Sequence, residues 1–152
     1  MKKTVLCFTI VLISIMFSKM QAQESDRIVG VWLNYNKDAH IEVYKKDNKY
    51  YGKIIWMKNP NNADGTPKLD TENPEEKLRS RKRLGLEIMK GLKYDDDEKE
   101  WEGGTIYDPQ SGSTYKVYLW FEDNDYTKLN MRGYIGFSLI GKTTQWFRVE
   151  KK

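Results

Sequence analysis

Apolar and polar side chains alternate along much of this chain. Residues 114–121 show it most cleanly: Tyr115, Val117, Leu119 and Phe121 fall on one side, Lys116, Tyr118 and Trp120 on the other. A period of two is the signature of a strand with one face buried. In residues 49–57, Tyr50, Gly52, Ile54 and Trp56 form one face, and Tyr51 and Lys53 begin the other. Segments 28–33, 40–46, 101–107, 128–135 and 143–150 also read as strands. Segment 87–94 is weaker, because its Leu-Glu-Ile-Met run fits a short helix as well. Turn formers separate the segments: Asp47-Asn48, the acidic run 95–98, Asp108-Pro109-Gln110-Ser111-Gly112, and Asp123-Asn124-Asp125. About eight strands joined by short turns predict an all-β, antiparallel up-and-down barrel, which removes exposed sheet edges. A β-sandwich of the same strands is the alternative.

Residues 58–83 break the alternation. They carry the turn pairs Asn59-Pro60, Asp64-Gly65, Thr66-Pro67 and Asn73-Pro74, then become basic through Lys77, Arg79, Arg81, Lys82 and Arg83. Asn73 can cap and Pro74 can open a short helical turn over 75–78. A connection this long in a compact domain is often functional. It is expected to cover one end of the barrel, with Asp70 and Arg79 or Arg81 in ion-pairing reach of groups in the connection or the barrel rim. Clustered arginines can hold a carboxylate, sulfate or phosphate through forked donors. The competing reading is a solvated loop with internal ion pairs to Asp70, Glu72, Glu75 or Glu76.

The N-terminus changes the charge picture. Lys2 and Lys3 precede an apolar run over residues 4–17, too short to span a bilayer, and Ala22 offers a small residue at a cleavage point. Residues 1–22 read as a secretory signal peptide, leaving 23–152 as one β-barrel domain, periplasmic or secreted, with no membrane span after cleavage. An uncleaved anchor is the alternative. Cys7 lies too early in the run for a lipoprotein. Cleavage removes three lysines and no acid, so the formal net charge falls from +4 to +1. That balance gives no argument for a nucleic-acid partner. The remaining chain has no cysteine but keeps all five Trp and all ten Tyr. It must hold together by packing, as a monomer.

The catalytic inventory is thin. With His40 the single histidine and no cysteine after cleavage, neither a Cys–His pair nor a multi-histidine metal site can form. No metal or other cofactor is expected. Gly136-Phe137-Ser138-Leu139-Ile140-Gly141 has the wrong spacing for a nucleophile elbow. The acidic run 95–98 lacks calcium-loop spacing and reads as a solvated turn. Gly103-Gly104 marks a bulge or a close backbone approach within a strand.

The two ends of the domain carry the most informative pairing. Gly30-Val31-Trp32 lies on the first strand and Trp146-Phe147-Arg148 on the last. Closure makes these strands neighbours, and a planar guanidinium can then cover the Trp32 indole. Gly30, Trp32, Trp146 and Arg148 are thus the expected closure residues. The combination resembles the calycin superfamily, whose lipocalins carry G-x-W on strand one and an Arg near the end of the barrel; there the pair is structural. A closer resemblance covers nearly the whole domain. Tyr51-Gly52-Lys53-Ile54, Asp70 with Asn73-Pro74, Leu84-Gly85, the run from Trp101-Glu102-Gly103-Gly104 to Asp108-Pro109, Gly112 with Tyr115, Arg132-Gly133-Tyr134 and Thr144-Gln145-Trp146-Phe147-Arg148 resemble the exported bacterial domain family of unknown function 2147. That resemblance implies export and brings no catalytic assignment.

Three functional readings compete. The first is an exported module binding a small, partly apolar or anionic ligand in the cell envelope. Trp56, Tyr115, Leu119 and Met131 would line its cavity, and the 58–83 connection, with Asp70, Arg79 and Arg81, would sit over its mouth. The second is a protein-interaction or envelope-maintenance module with a filled barrel and an outward aromatic patch from Tyr118, Trp120 and Tyr134. The third is a hydrolase of an envelope substrate, needing two carboxylates, or one with His40, in a single cleft. Cavity volume separates the first two.

Overall fold

A computed structural model describes residues 24–136 and 140–150. The signal-peptide reading of 1–22 lies outside these residues. Eight antiparallel strands follow in order: β1 (Gly30–Leu33), β2 (Ala39–Lys46), β3 (Lys49–Met57), β4 (Glu87–Asp95), β5 (Glu100–Asp108), β6 (Ser113–Trp120), β7 (Lys128–Tyr134) and β8 (Gly141–Arg148). Each pairs with its sequence neighbour, and β1 pairs with β8, so the sheet closes into a barrel rather than splitting into a sandwich. The weak segment 87–94 is a strand: its Met89 pairs Gly52 on one side and Ile106 on the other. Among the described residues no helix is long and apolar enough to cross a membrane.

Up-and-down order puts the β2–β3, β4–β5 and β6–β7 turns at one end and the other connections at the opposite end. Asp47 and Asn48 both adopt positive φ, as a two-residue hairpin with right-handed strand twist requires. The expected bulge is present, as the β5–β6 register shifts between Trp101 and Gly104.

The turn end is packed solid. A 3-10 helix, Asp26–Ile28, crosses it before β1 begins. Ile28 was expected on the first strand, beside Gly30 and Trp32; it ends this plug instead, and its carbonyl accepts the Trp32 indole N–H at 2.8 Å. The Trp101 indole donates to Ser25 O at 2.9 Å. Asp26 accepts from Lys45 Nζ and the Tyr50 hydroxyl, tying the plug to β2 and β3. Ile28, Trp32, Trp101, Leu92 and Leu119 are buried there, and Phe121 packs edge-on against Trp101.

Ring closure is short, since only Trp32↔Arg148 and Leu33↔Phe147 pair directly. Side-chain contacts reinforce it. The Arg148 guanidinium stands 4.2 Å from the Trp32 ring centroid. A side chain at position 30 would place Cβ 2.8 Å from Arg148 Nη1, so glycine makes room for the stack.

Candidate ligand-binding cavity

The opposite end is hollow. A cavity of about 1080 Å³ opens there, at the upper limit of the roughly 300–1,000 Å³ typical of small-molecule sites. Its depth is apolar: Ile41 from β2, Ile54 from β3, Ile88 from β4, Met131 from β7 and Trp146 from β8. Strand alternation aims these side chains inward, where they are buried. Its mouth mixes polar and apolar groups: Asn34, Tyr35, Asn36 and Asp38 after β1, Lys68 and Arg83 of the long connection, Asp108 to Gln110 after β5, Lys142 on β8, and the exposed Ile135 and Ile140.

The 58–83 connection folds against this mouth. Bridges Asn61↔Pro67 and Leu69↔Lys82 give it two short ladders, with a 3-10 turn at Glu76–Leu78. Asn73 Oδ1 accepts Glu75 N–H at 2.9 Å across Pro74. Asp70, fully buried, is its anchor. One carboxylate oxygen accepts the Tyr107 hydroxyl at 2.6 Å; the other accepts Asn73 Nδ2 and Arg81 Nε, both at 2.8 Å. Arg81 Nη2 adds a 2.8 Å contact. Burial and this bond to Asp70 push the Tyr107 pKa upward. The connection also lies against the β5–β6 turn. Gly112, at φ +72°, faces Glu72 so closely that a Cβ would sit 1.9 Å from its carbonyl oxygen.

The expected ligand-binding residues fall in four places. Tyr115 and Met131 line the cavity. Leu119 points inward but lies in the solid end, fully buried between Trp101 and Met131 in the register. Asp70, Arg79 and Arg81 serve the connection itself, with Arg79 Nε donating to Asn73 O at 2.8 Å. Trp56 is a correction. The β2–β3 register pairs Ile41 with Ile54 but His40 with Trp56, so a bulge at Ile55 reverses the alternation. Trp56 therefore faces outward, packed at a tilt against His40 with ring centroids 4.5 Å apart, and Met57 takes the inward position. Neither ring of that pair borders the cavity, which removes His40 from any chemistry there. Of the closure residues, Gly30, Trp32 and Arg148 belong to the plugged end, while Trp146 also borders the cavity. Sequence reasoning did not place Lys68, Arg83 and Lys142 at the mouth. Arg83 was visible within the basic run, but nothing in the chain pattern aims it at the barrel.

Fold and cavity together define a lipocalin-like barrel, plugged at one end and hollow at the other. Residues 30–148 match the family described as "Uncharacterized protein conserved in bacteria (DUF2147)", and the chain belongs to that family. It is similar to the solved structure of protein HP1028 from Helicobacter pylori, which is described as belonging to the lipocalin family. The two are 26% identical with a TM-score of 0.67, over 81% of this chain and 83% of that one. No curated protein matches the chain.

Proposed function

We propose that this protein is an exported carrier that holds a small, partly apolar ligand in the cell envelope. The observation behind the reading is the cavity of about 1080 Å³, apolar in its depth and open at one end of an otherwise packed barrel. An eight-stranded barrel has room inside for one small ligand when its own side chains do not fill it. The similarity to a lipocalin-family protein favours the same reading. Native mass spectrometry of protein purified from its own host tests it. A bound species of a few hundred daltons, released on unfolding, is the expected result. Protein that carries no guest and takes up no apolar probe would overturn the proposal.

An interaction module draws on one feature, the stack of Tyr118 on Trp120 at 5.4 Å with Tyr134 edge-on at 6.2 Å. That reading required a filled barrel, and the cavity weighs against it.

A further inference from the structure

The geometry points to an amphiphile with an anionic headgroup as the guest, held tail-inward, with Lys68, Arg83 and Lys142 gathering the head at the mouth. This inference rests on the carrier reading above and names its ligand class.

Among the described residues five charged side chains border the cavity, and they differ in how they are occupied. The two acids are engaged in their own turns. Asp38 Oδ1 accepts from Asn34 Nδ2 at 2.7 Å, and Asp108 accepts Gln110 N–H and the Ser111 hydroxyl on separate oxygens. None of the three cations has a carboxylate partner among the described residues. Arg83 directs Nε to Leu69 O at 2.9 Å, which leaves its terminal nitrogens as a free fork. Lys142 Nζ rests over the Tyr35 ring, 5.3 Å from its centroid.

Their placement suits a single headgroup. The backbone bond from Arg83 N–H to Lys68 O, 3.0 Å, sets these two residues side by side. Lys142 approaches from β8, which stands opposite β4 in a ring of eight strands. The cations thus flank the mouth from two sides, while the lining beneath them is mainly apolar, with the Trp146 ring and the hydroxyls of Tyr115 and Thr144. A neutral apolar guest would leave the three cations without a role. A bare inorganic anion would leave the apolar depth unused. An alkyl chain ending in a carboxylate or a phosphate monoester matches both regions, and a forked guanidinium is suited to either group.

Calorimetric titration of the purified, delipidated protein tests this with dodecanoate, dodecyl phosphate, 1-dodecanol, dodecyltrimethylammonium and inorganic phosphate. The alkyl probes are kept below micelle-forming concentrations. Both alkyl anions should bind about tenfold or more tighter than dodecanol, with the alkylammonium weakest. The tighter of the two anions tells a fatty-acid-like guest from a phosphate-monoester one. In the unaltered protein, raising salt should weaken the anions and spare dodecanol, because only the head interaction is screened. The triple variant Lys68→Gln/Arg83→Gln/Lys142→Gln should erase the preference for anions over dodecanol, with its melting point reporting that it folds. Equal binding of dodecanol and the anions, without salt dependence, overturns the inference and leaves the carrier reading standing. Inorganic phosphate binding as tightly as dodecyl phosphate overturns it too. If no alkyl probe binds, both the inference and the carrier reading fail.

Discussion

Arg148 covers the Trp32 indole at 4.2 Å and spends its nitrogens on three backbone carbonyls, those of Arg27, Val29 and Tyr126. One side chain thereby joins the plug, the first strand, the last strand and the β6–β7 connection. Burial pushes its pKa down, yet a guanidinium stays charged, so the carbonyls are needed to hold it. Arg148→Ala should destabilise the protein by about 1–3 kcal/mol through lost packing and unpaired carbonyls. Arg148→Lys should recover little, since an ammonium cannot cover a ring as a plane. Denaturant midpoints of both variants beside Trp32→Ala provide the measurement. A wild-type midpoint for Arg148→Ala would remove the closure argument. Lost ligand binding at unchanged stability would move Arg148 into a binding role.

Asp70 fastens the long connection to β5. Asp70→Ala strands the Tyr107 hydroxyl, Asn73 and Arg81 together, at a cost of about 2–3 kcal/mol. The effect should be local first: amide hydrogen exchange across 58–83 should accelerate, while the β5–β6 ladder stays protected. Gly112→Ala should loosen the same segment, because its Cβ would collide with the Glu72 carbonyl and its φ of +72° disfavours a side chain. Unchanged exchange in both variants would show that the connection is held by something else.

Trp146 is the one tryptophan of the five that borders the cavity. Trp32 and Trp101 are sealed in the plugged end, and Trp56 faces outward. Filling the cavity with an apolar guest should shift or quench emission, and Trp146→Phe should abolish that response. The same change at Trp56 should leave it intact. A response that survives Trp146→Phe would mean the probe sits elsewhere.

Tyr44 predicts an alkaline weakening. Its hydroxyl donates to Glu87 at 2.5 Å, and this bond, ahead of partial burial, raises its pKa to about 12. Unfolding returns it to about 10. Between those values the folded chain holds a proton that the unfolded chain has released, so stability is full below pH 10 and declines as pH rises toward 12. Tyr44→Phe should flatten that part of the decline. Denaturant midpoints from pH 9 to 12 would show this, and an identical slope in both proteins would refute it.

The strands were legible because one buried face enforces alternation, and β6 and β2 follow it along their length. The long connection was legible as an interruption, and its Asp70–Arg81 pair as a charge pairing. Trp56 was misplaced because a bulge adds one residue, and no composition signal marks where alternation reverses. Leu119 faces inward as alternation requires, but alternation is silent on depth. Its nearness to the Asp123-Asn124 turn, against Tyr115 beside the Asp108–Gly112 turn, carried that information. The cations of the mouth were opaque because Lys142 and Lys68 border one opening only once the ring has closed, a relation between distant segments.

Among the described residues, the barrel is sealed by Ile28, Trp32 and Trp101 at its base and opens at the other end. For the proposed carrier, an incoming molecule cannot push a resident one out of the far side, which makes exchange dissociative: the old guest departs before the new one enters. Residence time should then be independent of competitor concentration and set by how often the Asp70-fastened flank of the doorway gives way.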